Sequence, residues 1–403
     1  MNLVVTHEKR FEKDENGRIY TDNENSTGYF FFKRYLDVFD SVTVVGRAKK
    51  TVISEKFPVT GPGVNFIEVP YFWGPMDYIR KSRSIKKAIR SICAEAKNHS
   101  AFIARCPSIF GGLLIRELIK IKFPYAMEVV SDPYEVFSPG SIQHPLRPFL
   151  RIKSPIDLRR YCSNASAVSY VTKSTLQKRY PASKDAFTTY YSSIRMDNSY
   201  LVDQPRDYDD TIKPIKLVTV CTLEQLYKGT DTLIDAFEVC LQMGVDSHLT
   251  IVGDGKFRKN LEERVALKEI GRKVTFLGRL PSGDAVKEQL DKADLFVLPS
   301  KGEGLPRAMI EAMARGLPCL GTNASGIPEL LPPDAMVPVG DAKGLAKKIA
   351  ELYFNPARMK TMSVRNLETA KEYADEKLTY RRNEIYNYIK RKTEQIIQYN
   401  NRK

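Results

Sequence analysis

Short apolar runs alternate with amphipathic stretches through the second half of the chain. Five β-rich runs occur there, and each of the first four is followed by an amphipathic stretch of helix length. They are IKLVTVC (215–221), HLTIVGD (248–254), KVTFLG (273–278), DLFVLP (294–299) and PCLGT (318–322). This rhythm predicts β-α-β units and a parallel, doubly wound sheet. Ligands of such sheets bind at the carboxyl ends of the strands.

The first half repeats the pattern less regularly. We predict strands at 2–6, 41–45, 101–106, 125–130 and 167–172, and helices near 28–39, 78–97, 108–121 and 173–180. The expected fold is therefore α/β, with two doubly wound domains facing one another across a ligand-binding cleft. The predicted domains are 1–205 and 206–382, joined by a polar linker at 203–214, and a C-terminal helix, 383–403, packs back on the first domain.

Composition supports a globular enzyme-sized chain. Its 403 residues are 42% hydrophobic and 28% charged, which excludes a disordered protein and suits two domains. No apolar run approaches the roughly 20 residues needed to cross a bilayer, and the first residues lack a secretory signal pattern. We therefore expect a cytoplasmic protein, whose six widely spaced cysteines are free thiols.

The formal charge of +15 is concentrated in the first half of the chain. Residues 1–200 contain 31 Lys/Arg against 19 Asp/Glu. This asymmetry favours an anionic partner, either nucleic acid or an acidic membrane surface. Charge alone does not choose between them.

The densest chemical signal is SKGEGLPRAMIEAMARGLPCLGT at 300–322. Gly302 and Gly304 lie in a loop that opens a helix at Pro306, and such a loop presents backbone N–H groups to an anion such as phosphate. If the helix begins near Glu303, Glu311 lies about two turns further on, and both carboxylates can accept hydrogen bonds from sugar hydroxyls. The alternative is that Glu303 caps the helix and Glu311 is solvated.

The segment EGLPRAMIE resembles the E-x7-E signature of the retaining family 4 glycosyltransferases, which have the GT-B fold of two facing Rossmann-like domains. Four further blocks are similar to that family in order and spacing. They are VTVCTLEQLYKGTDTLIDAF (218–237), LTIVGDGKFRKNLEE (249–263), VTFLGRLP (274–281) and ASGIPELL (324–331). Five blocks in register are a specific match, where one E-x7-E motif would be weak.

The resemblance implies a nucleoside-diphosphate sugar, of the UDP or GDP type, bound mainly by the second domain. Glu303 would bind hydroxyls of the transferred sugar, Lys228 would neutralise the diphosphate, and Glu311 would hold the ribose. The whole implied donor site is Thr222, Lys228, Gly253, Arg279, Leu280, Gly302, Glu303, Gly304, Leu305, Pro306, Arg307 and Glu311. Alternatively, Lys228 is an ordinary lysine at a helix start, where cations are mildly unfavourable.

The chain departs from the family pattern before Lys228, where an arginine is common and none is present. Arg307 or Arg279 is the expected substitute. Asp132, which follows a predicted strand, is the third catalytic candidate beside Glu303 and Lys228, and its alternative role is to form the turn before Pro133.

No cluster of residues has metal-ligand spacing, and the D-x-D at 207–209 lies in the predicted linker. We interpret that D-x-D as solvated charge, in agreement with the metal-independent family that the chain resembles. The resemblance implies an enzyme without a metal ion or cofactor besides its donor substrate.

The segment 78–97 predicts a basic amphipathic helix suited to an anionic membrane. Ile79, Ile85, Ile89 and Ile92 form its apolar face. The opposite side carries Arg80, Lys81, Arg83, Lys86, Lys87 and Arg90, the predicted membrane or acceptor contacts. Alternatively, the helix packs on the sheet and its basic face is solvated.

The expected function is retaining transfer of a sugar to a glycan acceptor, lipid-linked and at the inner face of the cell membrane, in surface polysaccharide (O-antigen, capsule or exopolysaccharide) synthesis. One alternative keeps the fold but makes the protein a nucleotide-sugar epimerase or an inverting transferase. Another is a basic α/β protein that binds nucleic acid or membranes without catalysis. The absence of any nucleic-acid-binding motif disfavours a nucleic-acid partner.

Overall fold

The computed structural model describes residues 1–53, 56–138, 145–196, 199–208, 214–281 and 283–402. They form two compact units, each built around one sheet. The first unit comprises Met1–Ser131, Lys153–Ser193 and Thr379–Lys403, and the second comprises Asp132–Ile152 and Ile194–Leu378.

The boundaries of these two units differ from the predicted domain boundaries. The segment before 206 belongs to the second unit because it is bonded there: the Val202 amide donates to the Ala314 carbonyl. The Arg206 guanidinium donates to the carbonyls of Arg315 and Leu290, at 2.8 Å in each case. Of the predicted linker, residues 209–213, which include Asp209 of the D-x-D, lie outside the described residues.

The first unit contains a nine-stranded sheet. Its strands are β1 (Asn2–Lys13), β2 (Ile19–Thr21), β3 (Ser41–Lys50), β4 (Phe57–Pro58), β5 (Val64–Glu68), β6 (Ser100–Cys106), β7 (Ala126–Val129), β8 (Ala167–Tyr170) and β9 (Phe187–Tyr190). Seven of them run parallel in the order β5-β3-β1-β6-β7-β8-β9. β2 pairs antiparallel with the end of β1, and β4 pairs antiparallel with β2.

The second unit contains a six-stranded parallel sheet in the order β12-β11-β10-β13-β14-β15. Its strands are β10 (Ile215–Val220), β11 (Ser247–Val252), β12 (Val274–Gly278), β13 (Leu295–Leu298), β14 (Cys319–Thr322) and β15 (Met336–Val337). All four residues of β13 are buried, as expected for a central strand that is covered on both faces. The ten strands predicted from sequence are confirmed.

Fourteen α-helices occur within the described residues. They are α1 (Glu24–Thr27), α2 (Tyr29–Lys33), α3 (Pro75–Ala96), α4 (Ile109–Lys120), α5 (Pro133–Val136), α6 (Arg147–Asn164), α7 (Thr175–Arg179), α8 (Thr230–Gln242), α9 (Arg258–Leu267), α10 (Asp284–Lys292), α11 (Arg307–Ala314), α12 (Ala342–Tyr353), α13 (Pro356–Lys371) and α14 (Asp375–Asn401). Strands and helices alternate as the sequence predicts. The part of α14 from Thr379 onward belongs to the first unit.

Helix α3 corrects one prediction about its apolar face. Ile85, Ile89 and Ile92 are buried in the core of the first unit, whereas Ile79 is 55% exposed. Six residues separate Ile79 from Ile85, which at 100° per residue turns the two side chains to different sides of the helix. The isoleucines from Ile85 onward therefore pack on the sheet, and the first turns of α3 present apolar side chains to solvent.

Candidate functional site

The predicted donor residues lie at one edge of the second sheet. Because its strands are parallel, the loops that follow β10, β11, β12 and β13 all leave at their carboxyl ends. Thr222 and Lys228 follow β10, Gly253 follows β11, and Arg279 and Leu280 follow β12. Residues 302–306 follow β13, and Arg307 and Glu311 lie on α11. The candidate site thus extends along four neighbouring strand ends.

The turn before α8 fixes the backbone of Lys228. Leu226–Lys228 forms one 3-10 turn, and Gly229 ends it with a φ of 75°, the left-handed region that favours glycine. A Cβ at Gly229 would lie 1.9 Å from the Pro299 carbonyl oxygen. Only glycine therefore lets this turn lie against the loop that carries Glu303.

Lys228 and Glu303 contact each other directly. Lys228 Nζ lies 2.5 Å from Glu303 Oε1, with 16% and 8% of the two side chains exposed. The Ser300 hydroxyl, which is fully buried, lies 3.0 Å from the same carboxylate oxygen and 3.0 Å from the Tyr227 carbonyl. The Lys301 amide also donates to the Tyr227 carbonyl. These bonds join the 226–229 turn to the 299–304 loop.

The charged side chains of the site influence one another's protonation. Burial alone would lower the pKa of Lys228, but the neighbouring Glu303 carboxylate outweighs burial and raises that pKa, so the ammonium is held protonated. On α11, burial raises the pKa of Glu311, and the Arg307 guanidinium opposes that effect. A carboxyl group in such a setting is suited to accepting hydroxyl hydrogen bonds.

The structure confirms the helix start predicted at Pro306, and the condition of a helix that begins near Glu303 is not met. α11 begins at Arg307, after Pro306, so Glu303 lies in the preceding loop and does not cap the helix. The cause is local: Ser300 and Lys228 hold the Glu303 carboxylate, and the flanking Gly302 and Gly304 disfavour helix.

Gly253 shapes the neighbouring loop. Its φ is 143°, and a Cβ there would lie 1.7 Å from the Cys221 carbonyl oxygen. It therefore allows the loop after β11 to pack beneath the loop after β10, where the exposed Thr222 hydroxyl accepts from the Glu224 amide at 3.3 Å. Arg279 is exposed and Leu280 half-buried. These residues line the same edge as Lys228, and none of their described hydrogen bonds reaches it.

Asp132 serves a structural purpose in this structure. Its side chain accepts from the Tyr134 amide at 2.9 Å and caps the short helix α5, as the turn-forming alternative proposed. Asp132 is 2% exposed. α5 lies close to the glycine-rich loop, since a Cβ at Gly302 would come within 3.2 Å of the Glu135 Cβ.

A second polar cluster, in the first unit, was not singled out from the sequence. Glu128 on β7 is 2% exposed and contacts the guanidinium groups of Arg34 and Arg105. It also accepts from the hydroxyls of Tyr35, Tyr191 and Tyr386, at 3.0, 2.9 and 3.1 Å. Burial would raise the pKa of Glu128, but Arg105 and Arg34 together hold that pKa at about 2. A charged residue within an apolar strand run was the available signal.

Two further features concern ligands and membranes. Among the residues that the structure describes, no group of three or more His, Cys, Asp and Glu side chains is arranged to hold a metal ion. In the same part of the chain, no helix combines the length and the apolar character needed to cross a bilayer.

Comparisons with known proteins match part of the second unit to a protein family. Residues 214–355 match the family model described as "Glycosyl transferases group 1". This range contains the whole candidate site described above except Asp132. The match covers 142 of the 403 residues, so this part of the chain is similar to the glycosyltransferases of group 1.

Two curated relatives are similar to the chain. Protein CapJ of Staphylococcus aureus is 29% identical over 334 residues, covering 81% of this chain and 80% of CapJ. The amylovoran biosynthesis glycosyltransferase AmsK of Erwinia amylovora is 34% identical over 149 residues, covering 35% of this chain and 36% of AmsK.

Two solved structures show the fold. Sucrose-phosphate synthase of Thermosynechococcus elongatus has a TM-score of 0.69 at 16% identity, covering 96% of this chain and 98% of its own. HepE of Anabaena, solved with UDP and glucose, has a TM-score of 0.63 at 15% identity, and the match covers both chains fully. The predicted α/β fold of the GT-B class is confirmed.

Proposed function

We propose that the chain transfers a sugar from a nucleoside-diphosphate sugar to a lipid-linked glycan, with retention of configuration at the sugar, during surface polysaccharide assembly. The observation that carries this proposal is the contact between Lys228 and Glu303 at the strand ends of the group 1 domain. The name of AmsK, which refers to amylovoran biosynthesis, and the UDP and glucose bound to HepE support the substrate classes.

In the proposed complex, an elongated donor lies along the four strand ends. Its nucleoside lies toward Leu280 and Glu311, its diphosphate at Lys228 and the N-terminus of α11, and its sugar at Glu303. Diphosphate oxygens replace the Glu303 carboxylate as the partner of the Lys228 ammonium, and Glu303 is then available to the sugar hydroxyls. A fixed cation and helix-end N–H groups stabilise the charge that develops on the leaving diphosphate.

The proposed transfer follows the same-face course that the family resemblance implies. The bond between the sugar C1 and the phosphate oxygen breaks while a bond from C1 to the acceptor oxygen forms on the same face. The acceptor hydroxyl proton passes to the departing phosphate oxygen. No protein base and no metal ion are required in this scheme.

For the place of action, we propose the inner face of the cell membrane. All six predicted contacts on α3 are exposed. They are Arg80, Lys81, Arg83, Lys86, Lys87 and Arg90. Lysine and arginine side chains near an anionic leaflet contribute about 1 kcal/mol each.

Calorimetric titration of the full chain with UDP, GDP and ADP tests the donor site. We expect micromolar binding of one nucleotide, and Lys228→Ala should weaken it at least tenfold, about 1.4 kcal/mol. Lys292→Ala, which removes a surface lysine paired with Glu288 on α10, is the matched control and should bind normally. Binding of no nucleotide would contradict the proposal.

The stereochemical course needs a separate measurement. The anomeric configuration of the product, determined by NMR, should equal that of the donor, and turnover should persist in a metal chelator. Inversion at C1 would instead support the inverting transferase. Interconversion of the nucleotide sugar without an acceptor would support the epimerase.

A further inference from the structure

The first turns of α3 carry an apolar patch that the fold leaves uncovered. Trp73, Met76 and Ile79 are 62%, 67% and 55% exposed. They are spaced three residues apart at the start of a helix whose later isoleucines are buried in the core. We name these three residues the α3 tip. Large apolar side chains clustered at the surface mark an interaction site more often than isolated ones do.

The α3 tip is held in a fixed orientation. The Arg10 guanidinium donates to the Trp73 carbonyl at 2.7 Å and lies 4.5 Å from the centre of the Trp73 ring. The Trp73 amide donates to Asp77 Oδ2 at 3.0 Å, and Pro75 occupies the first turn of the helix. The indole is thus anchored at its backbone and on one face, while much of the residue faces solvent.

Cations continue the same face of the helix. Arg80 lies four residues after Met76, and Arg83 four after Ile79, so each lies on the turn above an apolar side chain. Lys87 follows at the same spacing from Arg83. Asp77 lies on a different side of the helix from Met76, because successive residues are about 100° apart. Its carboxylate contacts Lys81 at 3.2 Å. The exposed face therefore begins apolar and continues cationic.

We propose that the α3 tip inserts into the interface of an anionic lipid membrane while the cations of α3 contact its headgroups. Charge complementarity commits the face to an anionic partner, and the apolar tip requires an acyl layer that nucleic acid does not offer. Tryptophan is a residue type enriched at the membrane–water interface. This inference rests on the proposed function, because it names the surface where the lipid-linked acceptor would be met.

The chain contains one tryptophan, so its fluorescence reports on the α3 tip alone. Full-length protein is mixed with vesicles of phosphatidylcholine, or of equal parts phosphatidylcholine and phosphatidylglycerol. We expect a blue shift of the Trp73 emission and co-sedimentation with the anionic vesicles only. Binding to anionic vesicles without a blue shift would overturn the inference, because another surface would then make the contact.

The double variant Met76→Glu/Ile79→Glu changes two exposed side chains, so the fold should be retained. It should reduce vesicle affinity at least tenfold, whereas Leu267→Glu, at a residue 86% exposed in the second unit, should leave it unchanged. An equal loss of vesicle affinity in both variants would show that any added negative charge weakens binding, and it would overturn the inference. A concentration-dependent blue shift without lipid would also overturn it, in favour of a second copy of the chain.

The same variants separate this inference from the proposed function. The double variant should bind UDP or GDP as the wild type does, because its substitutions lie in the other unit from Lys228. Insertion without nucleotide binding would contradict the proposed function and leave the inference standing. Nucleotide binding without insertion would contradict only the inference.

Discussion

Glu128 in the first unit and Glu303 in the second unit are both buried carboxylates in contact with cationic groups near the carboxyl end of a parallel strand, and they differ in how many donors contact them. Glu128, on β7, is contacted by two guanidinium groups and three tyrosine hydroxyls. Glu303, in the loop after β13, is contacted by one ammonium and one serine hydroxyl.

The difference between these clusters indicates a difference in role. A carboxylate with about four acceptor positions is fully occupied by five donors, so Glu128 has little capacity left for a ligand. Glu303 keeps that capacity, and its flexible lysine partner can turn to a phosphate. The comparison predicts that Glu128 substitutions act on stability, and Glu303 substitutions on turnover.

The largest effect should follow Glu128→Ala. Removing this carboxylate leaves Arg34 and Arg105 buried without their counter-charge, which should cost about 3–5 kcal/mol of unfolding free energy. Chemical denaturation measures it. Glu68→Ala removes a surface carboxylate paired with Lys13 and should cost at most about 1 kcal/mol. Equal costs would remove the contrast between a buried cluster and a surface pair.

The pH dependence of the unfolding free energy tests whether the charge of Glu128 is responsible. The pKa of Glu128 is held at about 2, below its ordinary value of 4.5, so its contribution is fully present above pH 4.5 and is lost as the pH falls toward 2. The stability difference between wild type and Glu128→Gln should therefore be constant near neutral pH and shrink below pH 4.5. A difference independent of pH would show that the charge is unimportant.

Glu303→Gln should affect turnover. It removes the negative charge of the carboxylate that we propose to bind the sugar hydroxyls. We expect kcat to fall about 10²–10³-fold, the effect of deleting one preorganised polar group at a reacting centre. The affinity for the nucleoside diphosphate and the unfolding free energy should change little. A large loss of stability with intact turnover would show that Glu303, like Glu128, stabilises the fold and does not act in transfer.

Ser300→Ala tests the support of Glu303. The buried Ser300 hydroxyl lies 3.0 Å from the Glu303 carboxylate, and losing a hydrogen bond to a charged group should lower kcat about tenfold with nucleotide affinity unchanged. Ser247→Ala provides the control, because that equally buried hydroxyl lies 3.2 Å from the Val245 carbonyl. Similar losses of kcat in both variants would refute a specific role.

The smallest effect concerns His7, which packs against Phe11, Phe31 and Phe32. Burial, with the charge of Arg105 adding to it, lowers the pKa of His7 to about 3. In the unfolded chain, His7 takes up a proton as the pH falls below about 6.5, whereas in the folded chain it stays neutral. The free energy of unfolding should therefore be about 1 kcal/mol lower at pH 5.5 than at neutral pH. His7→Asn should flatten this slope in a pH series of denaturation curves. An unchanged slope would mean that another group titrates.

The sequence predicted the parts of the fold that depend on runs of apolar residues. All ten predicted strands are present because β-branched residues in short runs fit a sheet covered on both faces. The half-exposed edge strand β5 lacks such a run and was missed. Helix α6 was missed too, since Pro148 and Pro155 interrupt a stretch in which charges obscure the helical period.

For the candidate site, the sequence predicted which loops carry the functional residues, but it did not predict which side chains contact one another. The alternation of strands and helices placed Lys228 and Glu303 at one edge, but their direct contact depends on the left-handed turn at Gly229. The Glu128 cluster joins residues from five distant segments, and no local pattern encodes such a meeting.

The first unit is assembled from three separate stretches of chain, and this has a consequence for how it is made. During translation, Glu128 leaves the ribosome 258 residues before Tyr386, which later donates to it. Residues 1–193 alone would present the strand surface without the helix that completes it. An expression fragment that ends before Thr379 would therefore lack the Tyr386 donor and the last of the three stretches, so the first unit is complete only when the whole chain has been synthesised.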